Sequence, residues 1–136
     1  MRAESIHLTL AFLGEVDDSR LSGLMDFPLH GEKHRLPLER VCHRRRAGIV
    51  WAEPLEPPAP LLDLASRLKD LLGRAQFPAE EREFRAHVTL VRNADRGNPL
   101  PSFGPLAWPV EQATLVRSRP AAGGSDYEVL RRWPLS

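Results

Sequence analysis

Cysteine is almost missing from this chain. Cys42 is the only one, which excludes an internal disulfide and a cysteine-based metal cluster and suits a reducing compartment. Long apolar runs are absent too: none approaches the length that crosses a membrane, and Met1-Arg2-Ala3-Glu4 does not open like a secretory leader. A cytoplasmic protein is expected. Nor is there a surplus of one charge. Nineteen Lys and Arg against eighteen Asp and Glu leave a formal net charge of +1, so any attraction to nucleic acid must come from a local patch. No acidic ligand cluster is apparent, and neither a metal nor an organic cofactor is expected.

Histidine and threonine are sparse, at five and three in 136 residues, yet His-x-Thr occurs twice. Random placement would give about a tenth of one such pair. The copies are His7-Leu8-Thr9 and His87-Val88-Thr89, each followed by Leu and each in strand-like alternation. In Ile6 to Leu13, Ile6, Leu8, Leu10 and Phe12 form the apolar face and His7 and Thr9 share the other. In Phe84 to Arg92, Val88 and Leu90 oppose His87, Thr89 and Val91. On a strand the two polar side chains of each motif project side by side, roughly 6 to 7 Å apart, a gap that suits one phosphate-sized group. A single copy would read as ordinary strand residues; the duplication points to a shared chemical role.

At this length the chain is expected to form one domain, or one domain of two similar lobes, with a core of its own. Asp17 or Asp18 is positioned to cap a short helix to about Met25, stopped by Phe27-Pro28. Lys33 to Arg40 alternates like a strand, with Pro37 marking an edge. Cys42 to Gly48 reads as a basic loop leading into a strand at Ile49 to Ala52. The Leu-rich stretch from Ala59 to Leu72 has helical spacing, with Gly73 just past its end. Asn93 to Pro105 is loop-rich. Strands at Val110 to Ser118 and Asp126 to Trp133 are joined through Ala121 to Ser125 as a hairpin. Together these elements give an α+β fold with antiparallel sheet.

Other candidate sites are weaker. His30, His34 and Cys42-His43 have spacings seen around zinc, but lack a paired Cys-x-x-Cys and sit among Pro and Gly. Arg44-Arg45-Arg46, with Arg35 and Arg40, is either a binding surface for an RNA backbone or a solvated loop. Trp51, Trp108 and Trp133 suit core packing better than base stacking.

Two imidazoles near neutral pKa supply a general acid and a general base. Attack at phosphorus needs them on opposite sides, one at the entering and one at the leaving oxygen, and two strands can provide this. The threonine hydroxyls are suited to hydrogen-bond the non-bridging oxygens where charge accumulates. Arg92 lies five residues past His87, off the same strand face, and reaches the site only if the strand bends or ends there.

His7-Leu8-Thr9-Leu10-Ala11-Phe12-Leu13-Gly14-Glu15 and Arg85-Ala86-His87-Val88-Thr89-Leu90-Val91-Arg92 resemble the paired signatures of the two-histidine phosphoesterases. Within them the likeness is to the RNA 2′,3′-cyclic phosphodiesterase branch, also known as bacterial 2′-5′ RNA ligase. It extends through Ile49 to Ala52, the Leu-rich helix and the last two strands. The resemblance implies one two-lobed domain over 1–136, with pseudo-twofold antiparallel sheets, helices outside and the motifs facing each other across a central cleft. It implies hydrolysis of RNA or nucleotide 2′,3′-cyclic phosphates to 2′-phosphomonoesters, without metal or cofactor. By the same likeness His7 protonates the leaving 3′ oxygen, His87 activates water, Thr9 and Thr89 hold the phosphate, and Arg92 contacts it. The reverse ligation and a non-catalytic RNA-end binding module are the alternatives; two proton-transfer groups favour the enzyme. Ala86 replaces the family's usual proline. Members also begin with a strand and a helix ahead of the first motif, and this chain is expected to lack both, which leads to an expectation of self-association.

Overall fold

A computed structural model of the chain describes residues 6–78, 82–91, 106–122 and 124–136. Along these residues run α1 (Asp18–Met25), β1 (His34–Leu38), β2 (Arg40–Arg44), a 3-10 turn (Arg45–Ala47), β3 (Ile49–Glu53), α2 (Ala59–Arg74), β4 (Val88–Val91), β5 (Leu106–Val110), β6 (Gln112–Ala121) and β7 (Gly124–Pro134). The strands form sheets β1–β5, β2–β3–β4 and β6–β7. The ladders of the last two are antiparallel throughout, which is the expected α+β class. The chain divides into two compact units.

The first unit comprises Met1–Thr9, Arg35–Pro58 and Arg85–Pro109. β3 is a β-branched and aromatic run that suits a central strand, entered through Gly48, whose φ of +64° favours a residue without Cβ. Alternation along the sheet sends Val50, Ala52 and Val88 into the interior, where Val88 is 1 % exposed. Leu36 and Leu38 of β1 are also buried.

The second unit comprises Leu10–His34, Ala59–Phe84 and Val110–Ser136. Its core gathers Leu29, Leu64 of α2, Ala113, Trp133 and Leu135, with Leu10, Phe27, Leu68 and Leu71 packed around them. Trp133 Nε1 donates to the Phe27 carbonyl at 2.7 Å, which satisfies the one polar atom that the indole buries.

Several boundaries differ from the sequence reading. Ile6 to Leu13 forms no continuous strand: Leu8 makes one isolated antiparallel bridge to Val88. β4 begins only at Val88, so few partner groups are there for the segment to pair with. Leu10 instead joins the core of the second unit, and Phe12, placed by alternation on the apolar face, is 77 % exposed. His87 lies just ahead of β4 rather than within it. The expected strand from Lys33 to Arg40 ends at Leu38, and Arg40 begins a strand of another sheet. Cys42 to Arg44 are strand rather than loop, drawn into β2 by pairing with Ile49 to Trp51. β5 was not expected at all, and Val110 ends it while β6 starts at Gln112.

Gly73 lies inside α2, not past its end. The helix closes at Gln76, whose φ is +63°. Gln76 N donates to the Gly73 carbonyl and Phe77 N to the Leu72 carbonyl, at 3.1 and 3.0 Å. This left-handed cap satisfies carbonyls that the helix end would otherwise leave open.

Candidate active site

The bridge between Leu8 and Val88 joins the two motifs within the first unit. Antiparallel pairing carries a local twofold axis. At this bridge the two segments run in opposite directions, so His7 leads towards the Thr89 side and Thr9 towards the His87 side. Val88 is buried and Leu8 half-buried. His7 and Thr9 are exposed, and His87 and Thr89 half-buried. Arg92, the fifth expected site residue, lies outside the described residues.

His87 is oriented locally. Its Nδ1 lies 2.8 Å from the Arg85 carbonyl; a carbonyl only accepts, so Nδ1 carries the proton. In the neutral ring this leaves the Nε2 lone pair to accept one, as a base requires.

The register extends the site inland. Trp51 stands beside Thr89, Cys42 beside Trp51, and Arg40 beside Glu53. One step past the Ala52–Val88 pair, Glu53 stands at the level of His87. Glu53 is 5 % exposed. Its Oε1 accepts from Arg40 Nε at 3.2 Å and from Cys42 Sγ at 3.0 Å, and its Oε2 lies 3.9 Å from Arg85 Nη2. Burial alone would push this carboxyl up, but the Cys42 hydrogen bond and the charges of Arg40 and Arg85 outweigh it and hold the pKa below its ordinary value. Burial, and then the hydrogen bond and charge of Glu53, push the Cys42 thiol up, so it stays neutral.

The sequence reading missed Glu53. Its signal was an acid closing the apolar run Ile49 to Ala52, in phase with Trp51 rather than with the interior.

The weaker candidates scatter. His30 Nδ1 and His34 Nδ1 each bond the carbonyl two residues back, Pro28 at 3.3 Å and Glu32 at 2.9 Å. His43 points to the sheet face opposite Cys42. Among the described residues, no group of three or more His, Cys, Asp and Glu is placed to hold a metal. Trp133 belongs to the core of the second unit, and Trp108 is half-buried in β5. Arg35, Arg44 and Arg46 are exposed. No helix among the described residues is long and apolar enough to cross a membrane.

The two His-x-Thr motifs thus come together at one antiparallel bridge. No family model matches the chain, but individual proteins do. It is 32 % identical over 137 residues to the RNA 2′,3′-cyclic phosphodiesterase of Escherichia coli (strain K12), covering 98 % of this chain and 78 % of that protein. It is 34 % identical over 151 residues to the Thermus thermophilus protein of the same name, covering 96 % and 72 %. A phosphoesterase crystal structure superposes with a TM-score of 0.82 at 31 % identity, over 98 % of this chain and 79 % of that one. E. coli LigT complexed with 3′-AMP gives 0.81 at 31 % identity, over 99 % and 79 %. The chain belongs to the RNA 2′,3′-cyclic phosphodiesterase family.

Proposed function

We propose that this chain hydrolyses the 2′,3′-cyclic phosphate of RNA ends and nucleotides to a 2′-phosphomonoester. The supporting observation is the Leu8–Val88 bridge, which brings the two His-x-Thr motifs together, and on this proposal His7 and His87 flank one phosphate-sized space. In this reading His87 Nε2 takes a proton from water as its oxygen attacks phosphorus. His7, as imidazolium, gives a proton to the 3′ oxygen as its bond to phosphorus breaks. The 2′ oxygen keeps the phosphate. Thr9 and Thr89 donate to the two non-bridging oxygens as charge grows there, and Arg92 adds a further contact to the phosphate. Acid, base and oxyanion donors are all side chains, so no step calls for a metal.

Nucleotide recognition is part of the same reading; E. coli LigT has been crystallised with 3′-AMP, with NADP+ and with ATP. Residues 1–136 then act as a single two-lobed domain, in a cytoplasm that keeps Cys42 reduced. Self-association is included because Val116, Tyr127 and Val129 of the β6–β7 ribbon are each at least 40 % exposed; light scattering over a concentration series checks it.

The test of the chemistry uses a nucleoside 2′,3′-cyclic phosphate in excess EDTA. The expected product carries its phosphate on the 2′ oxygen. A 3′-phosphate product, or activity lost in EDTA and restored by a divalent ion, overturns the proposal. A substrate with sulfur at the bridging 3′ position separates the roles. Thiolate leaves without protonation, so it is expected to rescue His7→Ala and not His87→Ala.

A further inference from the structure

Glu53 is the one fully buried charged residue among those described, and the two-histidine chemistry gives it nothing to do. Its single negative charge faces two guanidiniums, those of Arg40 and Arg85, and the neutral Cys42 thiol adds none. The cluster therefore carries one positive charge in excess. It lies on the sheet face that bears Thr89, with Glu53 at the level of His87 and Arg40 one strand further in. Two strand spacings put the Arg40 backbone about 10 Å from that of His87, within reach of a long guanidinium side chain.

An ion pair that served only to neutralise Glu53 would need one arginine and would shelter it. Here the Arg40 side chain is 53 % exposed and that of Arg85 73 % exposed. Arg40 commits Nε and Nη2 to Glu53 Oε1, which leaves Nη1 for another acceptor. Arg40 is thus held at one edge by the buried carboxylate, Arg85 stands 3.9 Å from its other oxygen, and both open the rest of their forks to solvent. That geometry suits two oxygens of a phosphate.

We propose that Arg40 and Arg85, fixed by Glu53, form a second anion subsite that binds the phosphate on the 5′ side of the nucleotide carrying the cyclic phosphate. The proposal rests on the hydrolase reading above and narrows its substrate class: the preferred substrate bears a phosphate one nucleotide before the cyclic end, as every RNA longer than one residue does.

Three substrates decide it: a nucleoside 2′,3′-cyclic phosphate, the same compound with a 5′-phosphate, and a dinucleotide ending in the cyclic phosphate. The last two carry the additional phosphate, from a free monoester and from an RNA chain respectively. Both are expected to exceed the first in kcat/KM by about tenfold or more, the factor that one charge-assisted hydrogen bond supplies. In Arg40→Gln and Arg85→Gln that ratio is expected to fall towards one. The ratio is taken within one protein sample, so partial unfolding of a variant cancels. Equal kcat/KM for all three in the unsubstituted protein, an advantage for the dinucleotide alone, or ratios unchanged in both variants overturns the subsite.

If no substrate turns over, the hydrolase reading has failed, and equilibrium binding still tests the subsite. The 2′-phosphorylated dinucleotide is expected to bind Arg40→Gln with a log K against log salt slope shallower by about 0.7, the share of one cation on a single strand. An unchanged slope overturns it.

Discussion

The β2–β3–β4 sheet and the β6–β7 ribbon are both antiparallel and each carries one register shift, between Val50 and Trp51 and between Leu115 and Val116, yet their faces differ. In the sheet one face is sealed, with Val50, Ala52 and Val88 all buried. The other face carries Thr89, Trp51, Cys42 and Glu53. The ribbon is sealed only at its base, where Ala113 pairs with Trp133 in the core of the second unit. Beyond the shift, Val116 and Val129 face each other and both are exposed. A sheet buried on one side holds the side chains of its other side in fixed directions. The proposed chemistry suits such a sheet, and a two-sided solvated ribbon is poorly suited to it.

The largest expected effect breaks the comparison on the side of the sheet. His7→Ala and His87→Ala are each expected to lower turnover by about 10²- to 10⁴-fold, the range of a lost general acid or base, with the unfolding midpoint little changed. Steady-state rates beside thermal melts check this, and equal rates in either variant would remove that histidine from the mechanism.

The counterpart in the second unit is Leu64→Ala. It empties a site that is 2 % exposed, at an expected cost of about 2–5 kcal/mol of stability in denaturant titration. Turnover per folded molecule at low temperature is expected to persist. A loss of rate as large as that of the histidine variants would show that the two regions cannot be separated in this way.

A smaller effect sharpens the contrast through pH. The Glu53 pKa is depressed in the folded state, so its stabilisation is present above the unfolded carboxylate value, about 4.3, and is lost as pH falls through the folded pKa beneath it. The Cys42 pKa is raised, so its contribution is present below the unfolded thiol value, about 8.5, and is lost as pH rises through the folded pKa above it. Melting midpoints across acid and alkaline pH are expected to fall less steeply on the acid side in Glu53→Gln and on the alkaline side in Cys42→Ser. Identical profiles in the variants would assign the pH dependence elsewhere.

The smallest effect belongs to the end of α2. Gln76→Gly relieves a left-handed residue and is expected to raise stability by about 1 kcal/mol, measured by denaturant midpoint. A decrease would mean that the Gln76 side chain contributes more than its backbone strain costs.

The candidate site residues stood out in the sequence because a motif repeats: histidine and threonine are rare here, yet His-x-Thr occurs twice. Helix α2 was legible from its leucine spacing, although its end was not: glycine at position 73 is the obvious stop, and the left-handed turn falls on Gln76 instead. β2 was masked by its own residues, since three consecutive arginines after Cys42-His43 look like a solvated loop. Pairing with β3 supplies the backbone partners that hold Arg40–Arg44 extended.

Local covalent structure was enough to set the Nδ1 proton of His87, because the Arg85 carbonyl lies only two residues back; His30 and His34 make the same bond to their own neighbours. Which segment meets which was decided by tertiary structure alone. One bridge between residues eighty positions apart, Leu8 and Val88, joins the two motifs, and alternation within a segment carries no information about its partner. The same holds for Glu53: an acid at the end of an apolar strand acquires Arg40, Cys42 and Arg85 only when two other stretches of chain, β2 and the segment at Arg85, pack beside it, because burying its charge is tolerable only with those partners in place.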